Sequence, residues 1–323
     1  MNQEEEGHKK YIQDILGTAG FSVIGEYNFD KSDTDPSHNC GITIASGSVY
    51  RGYSPVDALL ITIRGTSGAE WFSNFDFCPS HSNDAVFAEN FLFAAEDAFS
   101  RFTEIYDPSS APVVLVCGHS RGAACANLLG VLIDELIGED NVYVYTFAAP
   151  ATVRKGCLNR EYSNIFNYIN PQDIVPCLPL EKWDFTRAGR DILLQSDNEF
   201  LKADIERYRD ILFSSAPDIE SYYLSEHSAD PSDDNAFCLT AFDIMMLMCN
   251  SVLRASGESY FSDGFPDEPD DKFADIISSD SYYAPLRQLY EEISEDSFSK
   301  GREILNEHLP TRYMELITAG INK

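Results

Sequence analysis

The chain has 323 residues, 44% of them hydrophobic, which is enough to bury the core of one large α/β domain with an insertion or of two modest domains. Its 53 acidic and 23 basic residues give a formal net charge of −30, which repels nucleic acid and anionic membrane surfaces at long range. We therefore expect no nucleic-acid partner and no stable insertion into a membrane.

The N-terminal segment and the cysteines lead to two further expectations. Residues 1–10 are charged and contain no apolar stretch of the kind that a secretory signal needs, so we expect a cytoplasmic chain, with secretion of a processed form left open. The eight cysteines form no C-x-x-C pair and, together with the six histidines, show no spacing typical of metal ligands. We predict reduced core thiols and no metal site.

In chain order, the first clear elements are a strand over residues 59–63 and a helix over residues 88–102. The loop that follows the strand contains small residues, among them Gly65, Thr66 and Ser67, and can present backbone N–H groups. Such donors can stabilise an oxyanion, although an ordinary turn between a strand and a helix would use the same residues. Both interpretations stay open on this segment alone.

The most informative motif follows an apolar strand pattern over residues 113–117 and precedes a helical pattern. It reads Gly118-His119-Ser120-Arg121-Gly122. A serine on a sharp strand-to-helix turn is strained and needs small residues two positions away on each side. The N-terminus of the following helix would then point N–H groups towards the hydroxyl. The motif predicts a nucleophile elbow, and the alternative is a turn whose serine only caps the helix.

Strands and helices alternate along the middle of the chain. Further strands are predicted over residues 143–147 and 165–169, so the order is that of a doubly wound sheet. We predict an α/β fold with a central, mostly parallel sheet flanked by helices. Asp173 follows the later strand, where the acid of an α/β-hydrolase falls after the serine, although it also lies two residues after Pro171 and aspartates near a proline are common in solvated turns.

The C-terminal part reads as helical, and it contains the two histidines that could follow the acid. His227 lies 54 residues after Asp173, in a polar loop. His308 stands directly before a terminal helical pattern. A late histidine acting as a base would complete the order serine, acid, histidine, and both residues are candidates for it.

Four segments together resemble the class 3 lipase family, whose members are α/β-hydrolases. They are, in the family's order and roughly at its spacing, ITIRGTSGAEW, VCGHSRGAACANLL, YTFAAP and NYINPQDIVPCLP. The resemblance covers about residues 40–190, and the Trp-containing and Arg-containing segment 183–187 is similar to one that bacterial members carry. The resemblance therefore implies a bacterial-type member with an α/β-hydrolase fold.

The resemblance also implies roles for individual residues. Ser120 would be the nucleophile and Asp173 the acid of a catalytic triad, and the backbone N–H groups of Thr66 and Arg121 would bind the oxyanion. Residues 67–80 resemble a family lid that would cover an apolar acyl groove, and the alternative is a packed amphipathic helix.

The choice of histidine follows from a further feature of the family. Its catalytic histidine is often followed five positions later by a tyrosine on a short helix, and that position is Tyr313 for His308 but Ser232 for His227. The spacing in compact fungal members favours His227 instead. We predict His308 as the base. The predicted domains are then a core over residues 1–190, a helical insertion or cap over residues 191–305 and a terminal segment over residues 306–323.

The expected activity is serine-dependent hydrolysis of carboxylic esters of lipids, as by a triacylglycerol lipase, through an acyl-enzyme and with no cofactor. The expected partner is an ester or lipid substrate, and the sequence does not indicate the oligomeric state. A carboxylesterase, phospholipase or thioesterase would use the same triad, because the pocket selects the acyl chain and the headgroup. A non-catalytic scaffold acting as an interaction module would share the fold.

Overall fold

A computed structural model describes six parts of the chain, which are residues 3–29, 40–65, 89–173, 175–177, 185–196 and 306–321. These residues belong to two compact units. The first unit contains residues 3–29, 40–65, 89–168 and 186–192, and the second contains residues 169–173, 175–177, 185, 193–196 and 306–321. Most of the predicted insertion lies outside the described residues, so the predicted domain boundaries stay a prediction.

The described elements alternate between strands and helices over the middle of the chain. The strands are β1 (Ser22–Tyr27), β2 (Ile42–Arg51), β3 (Ser54–Ile63), β4 (Val113–His119), β5 (Val142–Phe147), β6 (Val153–Arg154), β7 (Ile165–Ile169), β8 (Phe185–Thr186) and β9 (Arg190–Leu193). The helices are α1 (Gln3–Thr18), α2 (Glu89–Ile105), α3 (Arg121–Ile137) and α4 (Pro310–Ile321), with short 3₁₀ turns at Glu139–Asn141 and Val175–Cys177.

One seven-stranded sheet organises the fold, in the order β1-β2-β3-β4-β5-β7-β9, while β6 pairs with β8. The pairs β1–β2 and β2–β3 are antiparallel. The pairs β3–β4, β4–β5 and β5–β7 are parallel. Parallel neighbours need crossover connections, and α2 and α3 provide those between β3, β4 and β5.

The sheet carries α3 on one face. Ile61, Val116 and Val144 lie side by side in register on that face, and all three are fully buried. Gly130 of α3 approaches so closely that a Cβ atom there would stand 2.4 Å from Cγ2 of Val144. The apolar side chains on this face of the strands are therefore buried by the closely packed helix α3.

The opposite face of the sheet is covered in part by α1. Side chains alternate between the two faces of a sheet, so Leu60 and Leu115 lie on the face opposite to α3. They pair in register and pack against a cluster that includes Leu16 of α1 and Phe21. The prediction of a central, mostly parallel sheet flanked by helices is confirmed. The antiparallel strands β1 and β2 were not predicted, and β3 begins at Ser54, five residues before the predicted strand.

Candidate active site

The segment around Ser120 forms a sharp turn between β4 and α3, and we call residues 118–122 the elbow. Ser120 has φ 57° and ψ −126°, a left-handed conformation that costs energy for any residue with a Cβ atom. Its backbone N–H donates to the carbonyl of Phe147 at 2.9 Å, and its own carbonyl accepts from the N–H of Ala123 at 2.9 Å. Its side chain makes no capping hydrogen bond to α3. The serine therefore stands at the turn without acting as a helix cap.

Two glycines make this turn sterically feasible. A Cβ atom on Gly118 would stand 2.2 Å from the carbonyl oxygen of Gly122. A Cβ atom on Gly122 would stand 2.3 Å from the carbonyl oxygen of Ile63 and 2.6 Å from that of Arg64. Real Cβ atoms do not approach backbone oxygens so closely, and the oxygens concerned belong to the start of α3, the end of β3 and the first residue of the loop after β3. The two glycines of the motif are therefore required by the geometry of the elbow.

Arg121 is the first residue of α3, and its side chain is 1% exposed. The guanidinium lies over the ring of Phe91, with Cζ 5.7 Å from the ring centroid, and Nε donates to Sγ of Cys40 at 3.3 Å. Cys40 in turn lies 3.4 Å from Sγ of Cys125 on α3. These buried contacts fix the start of the helix, where the N–H groups of the first turn have no partner in the preceding turn.

The loop after β3 begins beside the elbow. A Cβ atom on Gly65 would lie 3.1 Å from the carbonyl oxygen of His119 and 3.8 Å from Cβ of Ser120. Gly65 therefore brings the backbone of this loop against Ser120. Thr66, the next residue and the predicted second oxyanion donor, lies outside the described residues, as do His227 and the lid-like segment 67–80.

The second unit contains a histidine paired with a buried carboxylate. Nδ1 of His308 lies 2.8 Å from Oδ2 of Asp173, whose side chain is fully buried, while the His308 side chain is 14% exposed. Because an ionised carboxylate only accepts hydrogen bonds, Nδ1 carries the proton and a neutral imidazole keeps its lone pair on Nε2. This is the tautomer that a general base needs.

Asp173 is held by two further donors. The hydroxyl of Tyr313 donates to Oδ2 at 2.8 Å, and the backbone N–H of Val175 donates to Oδ1 at 3.0 Å. Burial raises the pKa of Tyr313 far above its ordinary value, and the neighbouring Asp173 raises it further. Tyr313 therefore stays protonated and remains a donor throughout the neutral range.

Two residues of this region were not predicted from the sequence. Asn170 is fully buried, and its Nδ2 donates to Oε2 of Glu307 at 2.7 Å and to the Glu307 carbonyl at 2.9 Å. The backbone N–H of Asn170 donates to the hydroxyl of Tyr313 at 3.1 Å. We call Asn170, Asp173, Glu307, His308 and Tyr313 the acid–base cluster. The only sequence signal for Glu307 is its position directly before His308.

The structure thus brings together two groups of the predicted site residues. Ser120 and Arg121 are adjacent in the elbow of the first unit, and Asp173 and His308 are in contact in the second. Among the described residues, no group of three or more His, Cys, Asp or Glu side chains is arranged to hold a metal ion. None of the described helices is long and apolar enough to cross a membrane.

A family model matches the part of the chain that contains the elbow. Residues 60–183 match the model of class 3 lipases, a range that contains the end of β3, the elbow and Asp173. No curated protein sequence matches the chain significantly.

Several solved structures are similar to the chain at low identity. One is the Rhizomucor miehei lipase in a propeptide complex, at 19% identity over 62% of this chain and 71% of that chain, with a TM-score of 0.44. Another is a lipase from Rhizopus microsporus var. chinensis, at 16% identity over 61% and 76%, with a TM-score of 0.42. A third is the Lip2 lipase from Yarrowia lipolytica, at 17% identity over 55% and 66%, with a TM-score of 0.40.

Proposed function

We propose that the chain, whose residues 60–183 match the model of class 3 lipases, hydrolyses carboxylic esters of lipids through an acyl-enzyme formed on Ser120. The observation that carries this proposal is the backbone of Ser120, which is held at φ 57° between two glycines at the end of a parallel strand. Strain of this kind persists only where the surrounding structure enforces it, and it is frequent at sites of chemistry. The pair formed by His308 and Asp173 supplies a base of the right tautomer.

In the proposed reaction, Oγ of Ser120 attacks the ester carbonyl carbon while Nε2 of His308 takes the hydroxyl proton. The carbonyl π electrons move to oxygen and form a tetrahedral oxyanion. When the oxyanion collapses, the bond to the alkoxy group breaks, His308 returns its proton to the leaving alcohol, and an acyl-serine remains. Asp173 keeps the imidazole oriented and stabilises its cationic form throughout.

Deacylation repeats the same steps with water as the nucleophile. His308 removes a proton from water as it attacks the acyl-serine, and then gives that proton to Oγ of Ser120 as the carboxylic acid leaves. The backbone N–H groups of Arg121 and Thr66 are the proposed donors to both oxyanions. Donors of this type contribute about 3–4 kcal/mol each to transition-state stabilisation where water is excluded.

The test compares the parent with single variants on nitrophenyl esters of increasing acyl length. We expect Ser120→Ala to lower kcat by about 10⁶-fold and His308→Ala to lower it to a similar extent, because triad members act as a unit. The matched control is His227→Ala, which should retain parental activity. A rate that rises with acyl length indicates a lipase, and one that falls indicates a carboxylesterase that prefers short chains.

A fluorophosphonate label tests the nucleophile without assuming a substrate. Only an activated serine reacts readily with this reagent, so the parent should be labelled on Ser120 and His308→Ala should not. If the parent reacted with neither the esters nor the label, the chain would be a non-catalytic scaffold and the proposal would fail. If His227→Ala were the inactive variant, the assignment of His308 as the base would be wrong.

A further inference from the structure

Glu307 presents an arrangement that the proposed reaction does not by itself require. The residue is 4% exposed, and its carboxylate accepts from Nδ2 of Asn170 at 2.7 Å and from Nε of Arg312 at 3.1 Å. A carboxylate is rarely buried unless its charge is paired and its oxygens are hydrogen-bonded. Here both conditions are met by two specific side chains, one of which is fully buried.

Asn170 connects this carboxylate to the segment that carries the acid. Its Nδ2 holds both the side chain and the carbonyl of Glu307, and its Oδ1 accepts from the backbone N–H of Gln172 at 3.1 Å. The carbonyl of Asn170 accepts from the backbone N–H of Asp173 at 3.0 Å. A single asparagine therefore binds the residue before the histidine and orders the turn that ends in the acid.

A second route runs from Asn170 to the acid through Tyr313. The backbone N–H of Asn170 donates to the tyrosine hydroxyl, which donates in turn to Oδ2 of Asp173. The same oxygen faces Nδ1 of His308. The position of Asn170 thus affects both partners of the histidine–aspartate contact, and Glu307 is the group that fixes Asn170 to the histidine segment.

We infer that Asn170 and Glu307 are positioning residues, whose hydrogen bond sets the distance and angle between His308 and Asp173. The inference rests on the proposed function in so far as the pair is catalytic. Neither residue needs to contact substrate. A misplacement of about 1 Å in a catalytic group costs about 10²-fold in rate, so a contact that holds the pair to hydrogen-bond distance is a determinant of kcat.

The experiment combines kinetics with a direct signal from the pair. The Nδ1 proton of a histidine bonded to a carboxylate resonates far downfield in one-dimensional proton NMR, and His308→Ala identifies the resonance by removing it. In Glu307→Ala, we expect this resonance to move upfield or broaden and kcat to fall about 10²-fold, with KM unchanged. In Glu307→Gln, whose Oε1 still accepts from Asn170, the resonance and most of kcat should remain.

Glu315→Ala is the matched control, because Glu315 also contacts Arg312, at 3.5 Å, but is 68% exposed and is not bonded to Asn170. It should leave the resonance and kcat at parental values. If Glu307→Ala is not recovered folded, Asn170→Ala decides, because it removes the donor to Glu307 without placing a second carboxylate beside it. The resonance should then be lost or displaced.

Two results would overturn the inference. One is a folded Glu307→Ala or Asn170→Ala variant that retains both the resonance and kcat, and the other is a Glu307→Gln variant that loses as much of both as Glu307→Ala. Failure of the proposed function would look different, because the parent itself would then neither hydrolyse esters nor react with a fluorophosphonate. The resonance would still test the positioning contact in that case.

Discussion

Ser120 is held by backbone atoms, whereas Oδ2 of Asp173 is held by side chains that lie 135 and 140 positions away along the sequence. In the elbow, the conformation of the serine is enforced by the carbonyl of Phe147 and by the close approach of two glycines to neighbouring backbone. In the acid–base cluster, the conformation of the acid is fixed by hydrogen bonds that reach it from Tyr313 and His308. The first region depends on steric exclusion and the second on donors and acceptors.

The two kinds of restraint should fail in different ways. A steric restraint leaves no partial solution, because a carbon atom placed 2.3 Å from a carbonyl oxygen forces the backbone to move. Where several hydrogen bonds restrain a group, one substitution removes one donor, and only part of their combined stabilisation is lost. Substitutions in the elbow should therefore have larger effects on folding than substitutions of equal size in the acid–base cluster.

The largest effect is expected for Gly122→Ala. Its new methyl group would meet the carbonyl oxygens of Ile63 and Arg64, which belong to β3 and the loop after it, so either the strand or α3 must shift. We expect a loss of about 3 kcal/mol or more in the free energy of unfolding, measured by urea denaturation, together with loss of ester hydrolysis.

The matched control for that substitution is Gly17→Ala in α1, where an added Cβ atom would meet nothing within 4 Å. Its free energy of unfolding should rise by at most about 1 kcal/mol, because alanine has a higher helix propensity than glycine. Equal effects of the two substitutions would show that the close approach at Gly122 is not a restraint.

A smaller loss is expected for Tyr313→Phe. The substitution removes one donor to Oδ2 of Asp173 and leaves the buried N–H of Asn170 without the acceptor that it has in the parent. We expect a loss of about 2 kcal/mol in the free energy of unfolding at neutral pH and a partial loss of kcat. Tyr143→Phe is the control, since the Tyr143 hydroxyl contacts the exposed carbonyl of Asp140 at 3.5 Å, and the substitution should lower the free energy of unfolding by less than about 0.5 kcal/mol.

The difference in the free energy of unfolding between the parent and Tyr313→Phe should depend on pH. Because burial and then Asp173 raise the pKa of Tyr313 above its ordinary value of 10.0, the folded state holds this proton more tightly than the unfolded state does. The stability that this group contributes is fully present below pH 10 and declines above it, by about 1.4 kcal/mol per pH unit. The difference between the parent and Tyr313→Phe should therefore shrink above about pH 10. A difference that stayed constant into the alkaline range would contradict the assigned cause.

The contrast between the regions also explains what could be predicted from the sequence. The elbow is encoded within five consecutive residues and the apolar strand before them, so a local pattern predicts it. The predicted strand over residues 165–169 has the bounds of β7 for the same reason. By contrast, β3 begins with the mixed stretch 54–58, which pairs with residues 47–51 of β2 and contains Pro55 and Asp57, two residue types that are depleted in strands.

The acid–base cluster could be predicted only in part. Asp173 follows from the chain order of an α/β-hydrolase, and His308 was preferred over His227 because the family places a tyrosine where Tyr313 stands. Asn170 and Glu307 were not predicted, because polar residues are usually exposed and their partners here lie 137 positions apart. Nothing in either local segment identifies the other as its partner.

The smallest expected effect concerns the strain at Ser120 itself. Glycine adopts φ 57° without a steric penalty, so Ser120→Gly should unfold with a free energy about 1 kcal/mol higher than Ser120→Ala, which keeps the Cβ atom and the strain. Urea denaturation of the two variants measures the difference directly. Ala111→Gly is the control, because Ala111 has φ 41° in an exposed loop. Its change in the free energy of unfolding measures the cost of a positive φ outside the site.

Equal stabilities of Ser120→Gly and Ser120→Ala would mean that the elbow relaxes once the serine is gone, and that the strain comes from the hydroxyl rather than from the glycine-lined turn. A higher stability of Ser120→Gly, with hydrolysis lost in both variants, would locate the strain in the backbone. The elbow would then maintain an unfavourable conformation that only the chemistry at Ser120 requires, which is the behaviour expected of a nucleophile and not of a helix cap.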